Sequence, residues 1–189
     1  MKKTVIFISA AILCLAVTAF TIQAIINWKI DNANAMVKFT AGGTKGFFTG
    51  VKGDISFDKD DLASSFFNCS IDVGTVNTGN VNKDNHIRTA DFFYATKFPV
   101  ITFRSFKVEK DKDGFIALGN RTIKDSTKQI SIPFKFEDNQ EKGVFKGEFT
   151  IDRNDYGVGK PDIRQSPWGG PVKESAPVTI TIAVPVDKK

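Results

Sequence analysis

The amino-acid sequence predicts an all-β domain closed on itself, interrupted by one short helical or irregular insertion at about residues 82–98. Three observations carry that expectation. From Asn27 onward apolar residues recur with a period of two, the spacing that sends alternate side chains to opposite faces of a strand. Each run is apolar on one face and polar on the other, so the strands cannot form a parallel sheet buried on both sides. The runs are joined by short polar turns such as Asp113-Gly114 and residues 137–143, as in hairpins. About eight one-sided strands connected in this way need a barrel or a sandwich. A closed barrel of that size has an interior that side chains fill or that holds one slim ligand.

Residues 1–24 stand apart from this pattern. Lys2 and Lys3 precede an apolar run at residues 5–20, and Ile22-Gln23-Ala24 offers a small residue where a signal peptidase would cut. The expected organisation is a signal peptide at residues 1–24 and one domain at residues 25–189. The alternative is an uncleaved anchor, since no charge occurs from Thr4 to Ile26. Cys14 follows Ile12-Leu13, which are bulkier than lipid-attachment sites admit. Cleavage leaves Cys69 as the one cysteine of an exported protein, a small apolar core residue with no disulfide partner.

In chain order, Trp28 and Ile30 and then residues 36–40 read as a first strand broken near Asp31-Asn32. Phe47, Thr49, Val51, Ile55 and Phe57 share one face of the next, with Phe48, Lys52, Asp54 and Ser56 opposite. After a polar turn at Lys59-Asp60-Asp61, Phe67, Cys69, Ile71 and Val73 alternate with Asn68, Ser70 and Asp72. Ile101 and Phe103 face inward, and a phase change near Ser105, read as a bulge, lets Phe106 and Val108 continue. A returning strand at residues 115–123 follows, then Ile130, Ile132, Phe134 and Phe136, then Phe145, Phe149 and Ile151, and last Val178, Ile180, Ile182 and Val184. Most of the 18 Phe fall on the inward phase. Residues 153–176, rich in Gly and Pro, form the longest irregular segment, a length that in a compact domain signals function or mobility.

Residues 81–105 are where alternation stops. Asn82 is positioned to cap a short helical turn, Phe92, Phe93, Tyr94 and Phe98 make an aromatic plug, and Pro99 returns the chain to a strand. Such a plug suits the end of a hollow or half-open structure.

Composition excludes several chemistries. Loss of Lys2 and Lys3 with the signal takes Lys+Arg from 26 to 24 against 21 Asp+Glu, a net charge of +3 that is too small and scattered for a nucleic-acid surface. A single histidine cannot build a zinc site, and Asp58, Asp60 and Asp61 lack the glycine and bidentate glutamate of a calcium loop. No metal or cofactor is expected. Gly42-Gly43-Thr44-Lys45 has the letters of a phosphate loop without its spacing. His86 and Asp84 would be the pair to suspect in an enzyme, but no serine sits in a strand-to-helix elbow, and no catalytic residue is assigned. The bland reading of Asp84, Asn85 and His86 is hydrogen bonding to the backbone of an irregular segment.

The run Asn77-Thr78-Gly79-Asn80, Lys83-Asp84-Asn85-His86-Ile87-Arg88-Thr89, Asp91-Phe92-Phe93 and Phe98-Pro99-Val100-Ile101-Thr102-Phe103-Arg104-Ser105 resembles the YceI-like family of polyisoprenoid-binding proteins. The likeness extends to Trp28-Lys29-Ile30-Asp31, Val51-Lys52-Gly53-Asp54-Ile55, Thr127-Lys128 and Arg153-Asn154-Asp155-Tyr156-Gly157-Val158-Gly159, so it spans the mature chain. The resemblance implies a lipocalin-like antiparallel eight-stranded barrel, periplasmic or secreted, with an isoprenoid or similar amphiphilic lipid in its lumen. The sequence departs from the family pattern at Gly119-Asn120-Arg121-Thr122, where Arg121 replaces an apolar residue, and also at Tyr94 and Asp125. An inward Arg121 would favour an acidic or phosphorylated headgroup, and an outward one would mean little.

The expected function is that of an exported, non-catalytic carrier or scavenger. Its lipid-binding candidates are Phe47, Val51, Ile55, Phe67, Cys69, Ile71, His86, Phe92, Phe103, Ile132, Phe134, Phe145, Phe149, Trp168 and Ile180. The same residues would also serve a merely filled core. In that alternative the protein is a solid interaction module of the envelope that engages a protein partner through its loops. A homodimer stays open in either case.

Overall fold

The computed structural model of the chain describes residues 25–159, 163–165 and 171–189, with side chains for 25–159 and 174–189. The expected signal peptide at residues 1–24 and Trp168 lie outside the described residues. The first strand is interrupted, with β1 (Asn27–Ile30) and β2 (Met36–Ala41) separated by a turn in which the Asp31 carboxylate accepts from the Ala33 N–H at 3.1 Å and the Asn34 amide at 2.8 Å. The second is interrupted too, into β3 (Thr44–Phe48) and β4 (Val51–Ser56). There follow β5 (Phe66–Asp72), the helix α1 (Val81–Arg88), β6 (Val100–Asp111), β7 (Gly114–Ile123), β8 (Ser126–Asp138), β9 (Lys142–Asp152), β10 (Ile163–Gln165), β11 (Pro171–Lys173) and β12 (Pro177–Lys188).

Closure depends on β12. It pairs with β9 on one side, and on the other with β2 through residues 178–183 and with β1 through residues 186–188. The ring β1-β4-β5-β6-β7-β8-β9-β12 is therefore an eight-stranded antiparallel barrel, with β2 and β3 continuing β1 and β4 beyond their breaks. Closure leaves few free edges, but β8 and β9 pair only through residues 135–138 and 143–146, so the ladder between them is open toward the start of β8 and the end of β9.

Four expectations need correction. Phe47 and Phe48 exchange faces, because the chain between β3 and β4 is not extended. The Thr49 and Gly50 amides donate to Thr75 Oγ1 at 3.3 and 3.0 Å, and the Gly50 carbonyl accepts from Asp72 N–H at 2.9 Å. This pinch resets the phase, so Phe48 is buried and Phe47 instead bridges to Asn77. The bulge near Ser105 exists as a register shift between Ser105 and Lys107, but Phe106 is the residue left out of register and is 59% exposed. The helix begins at Val81, one residue earlier than an Asn82 cap implies, and Asn80 caps it by accepting from Lys83 N–H at 3.1 Å. The segment 153–176 is not wholly irregular, since β10 and β11 form an antiparallel pair within it.

The interior is filled unevenly. At the end where β5 begins and β6 finishes, Phe57 is 1% exposed and meets the rings of Phe67, Phe115, Phe134, Phe136 and Phe145 at centroid separations of 5.0–6.2 Å, mostly edge to face. Trp28 closes this floor, its Nε1–H donating to the Phe57 carbonyl at 2.9 Å and its ring lying 4.9 Å from Phe136. Toward the other end there are two small clusters, Phe48 with Val76 and Ile87, and Ile123 with Tyr156 and Val158.

Candidate functional site: a one-ended cavity in the barrel

Between the aromatic floor and the α1 end lies a cavity of about 700 Å³. Strand alternation builds its walls. Val51 and Ile55 of β4, Cys69 and Ile71 of β5, Phe103 of β6, Ile132 of β8, Phe149 of β9 and Ile180 of β12 face it, while Phe67, Phe134 and Phe145 form its base against the floor cluster. Phe47 does not line it, and Phe48 takes that place, joined by Val37 and Phe39 of β2. Val37 and Phe39 are not among the candidates named from the sequence, although they alternate with Lys38 and Thr40 in a strand as long as β4.

The mouth is made by the segment that breaks the alternation. The Asp84 carboxylate accepts from the Thr78 amide at 2.8 Å and the Thr78 hydroxyl at 2.6 Å, and Arg88 donates to the carbonyls of Gly74 and Val76 at 3.1 and 3.0 Å. These bonds hold α1 against the loop after β5 and seat Ile87 on Phe48 and Val76. His86 is exposed at the rim, its ring edge-on to Phe92 at 5.0 Å, and both reach the cavity along with Ile87 and Phe93. Asp84 is engaged by Thr78 and not by His86, so the two groups are not arranged as an acid–base pair.

Electrostatically the cavity is one-sided. Lys83, Arg121 and Arg153 line it, and among the described residues of its lining there is no Asp or Glu. Arg121 extends the inward series Phe115, Ala117, Gly119 of β7, so it points into the barrel and is buried. Its Nε and Nη2 donate to the Tyr156 hydroxyl at 3.2 and 2.7 Å, and its guanidinium lies 4.5 Å from the Tyr156 ring and 5.9 Å from that of Phe149. Burial pulls the Arg121 pKa below its ordinary value, and the hydrogen bond to Tyr156 opposes that pull. Cys69 keeps some exposure only because it faces the cavity. Burial, and after it the charge of Asp54, pushes its thiol up to about 12, which makes it an unreactive wall residue.

A family model for the YceI-like domain matches residues 28–184, nearly the whole of the barrel. The chain belongs to the YceI-like family. A UPF0312 protein of Yersinia enterocolitica is 30% identical over 111 residues, covering 58% of each chain, so the protein spans 58% of the length of this curated relative. Among solved structures, BcnA of Burkholderia cenocepacia shares the YceI-like fold at a TM-score of 0.71 and 21% identity, over 82% of this chain and 98% of that one. A polyisoprenoid binding domain from Saccharophagus degradans implicated in plant cell wall breakdown aligns at a TM-score of 0.60 and 14% identity, over 88% of this chain and all of the other.

Proposed function

We propose that this YceI-like protein is an exported, non-catalytic lipid carrier or scavenger that takes up an isoprenoid or similar amphiphilic chain in the barrel. The observation that carries the reading is the cavity of about 700 Å³, closed at one end by interlocked rings and walled by aliphatic and aromatic side chains. That volume is in the usual range of pockets that enclose a small organic ligand, about 300–1,000 Å³. A chain entering tail first leaves its polar end at the α1 side, where the cationic residues are. Each methylene removed from water contributes about 0.8 kcal/mol. Roughly ten of them would contribute about 8 kcal/mol, comparable to the cost of immobilising the chain. The shared fold serves polyisoprenoid binding in the S. degradans domain, which supports the ligand class. Among the described residues no helix is long and apolar enough to cross a membrane. The sequence pattern of residues 1–24, a basic start followed by an apolar run, supports export.

The test is lipid extraction of protein purified from its native host, with mass spectrometry of the extract, alongside thermal melts with added farnesol. A co-purifying amphiphile is expected. Farnesol at about a hundred times its dissociation constant should stabilise the fold by about 2.7 kcal/mol, a rise in Tm of roughly 5–11 °C. Clean protein with no extractable amphiphile and no shift would overturn the proposal.

A further inference from the structure

The geometry points to Arg121 as the anchor for an anionic headgroup, a carboxylate or a phosphate ester, on the amphiphile that occupies the lumen. This rests on the lipid-binding reading above and deepens it. A guanidinium carries five N–H donors on a fixed planar fork. In Arg121 the Nε–Nη2 edge is taken by the Tyr156 hydroxyl, a neutral group that offers no compensating charge. The end-on edge, Nη1 with the second N–H of Nη2, has no protein acceptor among the described residues, and the side chain lines the cavity.

A buried cation without a carboxylate in contact is costly, and the faces of Tyr156 and Phe149, with the more distant charge of Asp155, compensate it only in part. An anion with two adjacent oxygens, as in a carboxylate or a phosphate ester, matches the open edge and would supply both the charge and the two acceptors. Tyr156 makes the fork rigid. It is 2% exposed, held in the helical turn Arg153–Tyr156 and packed with Ile123 and Val158, so the open edge is held in one orientation before any ligand arrives.

Position agrees with charge. Arg121 lies one inward step from Ile123, the last residue of β7, near the α1 end, and the inward series below it descends through Ala117 to Phe115 in the floor cluster. A headgroup at Arg121 therefore leaves its tail the apolar length of the cavity. Lys83 and Arg153 line the same cavity nearer the rim, no Asp or Glu is among the described lining residues, and Asp155, whose charge reaches Arg121, is not one of them.

The experiment compares three ligands with one chain: farnesol, farnesoic acid and farnesyl monophosphate. Each is titrated calorimetrically into the full protein, stripped of lipid, and into R121M and R121Q. The unmodified protein is expected to bind one or both anions about ten- to a hundred-fold more tightly than farnesol, the size of a charge-assisted bidentate contact. The better of the two identifies the carboxylate or the phosphate as the natural head. In R121M and R121Q the preference should fall to within about three-fold, with farnesol affinity kept, and added salt should affect the preference of the unmodified protein only weakly because the site is buried.

Equal affinity of the unmodified protein for all three ligands overturns the headgroup assignment and leaves the lipid-binding reading standing. Binding of none of the three defeats that reading and the inference with it. A preference that survives both substitutions, or that salt abolishes, places the selectivity at the rim on Lys83 and Arg153 and overturns the role of Arg121. The comparison within the unmodified protein decides the matter even if a substituted barrel does not fold.

Discussion

Phe57→Ala is the substitution that most directly probes how the barrel is half filled. The Phe57 ring is 1% exposed and contacts five other rings, while its carbonyl accepts from Trp28. Truncation removes the transfer free energy of the ring and leaves a void that strands closed into a ring cannot collapse to fill, a combination that costs about 3–5 kcal/mol for Phe→Ala in a core. The edge-to-face pairs add to this, though not additively, because the five neighbours also touch one another. For a chain of this size the loss corresponds to a fall in Tm of roughly 6–20 °C. Urea and thermal unfolding followed by circular dichroism would measure it. There is also a functional consequence. Phe57 lies behind Phe67, Phe134 and Phe145 without lining the cavity, so its removal gives the base of the cavity room to retreat. The longest alkanol that the protein accepts should therefore increase. A stability loss under about 1 kcal/mol, or an unchanged chain-length limit, would refute the account of the floor as a close-packed stop.

Gly53→Ala should destabilise by at least about 2 kcal/mol, read in urea, and a change within about 0.5 kcal/mol would contradict it. Gly53 has φ +149°, and a Cβ there would collide with the Asn68 carbonyl oxygen of the paired strand. Asp84→Ala should cost about 1–3 kcal/mol by leaving the Thr78 amide and hydroxyl without their acceptor. Faster amide exchange confined to residues 76–88 would show that the mouth loosens while the floor holds, and exchange unchanged there would argue against the tether. Cys69, with Cys14 replaced by Ser, should resist maleimide in the folded protein at pH 8 and react on unfolding, with farnesol slowing any residual labelling. Because folding raises the thiol from 9.0 to about 12, the proton is held more tightly in the folded state. That contribution to stability is therefore full below pH 9 and lost as pH rises toward 12. Cys69→Ala should flatten the decline over that window, and an identical slope would count against burial as the cause.

The barrel was legible in the sequence because strand alternation is a local steric property: inward Phe115, Ala117, Gly119, Arg121 and Ile123 can be counted off β7 without knowing their partners. Hairpin turns at Asp113-Gly114 and near residues 139–141 are local in the same sense. The same counting places Arg121 in the interior, two residues past Gly119. Long-range partners are not legible in this way. The face of Phe47 departs from simple alternation because the kink at Thr49 and Gly50 is held by Thr75 and Asp72, residues more than twenty positions away. Phe106 turns outward because the number of residues a bulge consumes is decided by the facing strand, here Gly119 and Leu118. Composition alone determined an aromatic, aliphatic interior. Whether those rings meet across the barrel axis or stand apart depends on closure and stagger of eight strands, which brings Phe57 into the centre of one end and leaves open space beneath Arg121 at the other.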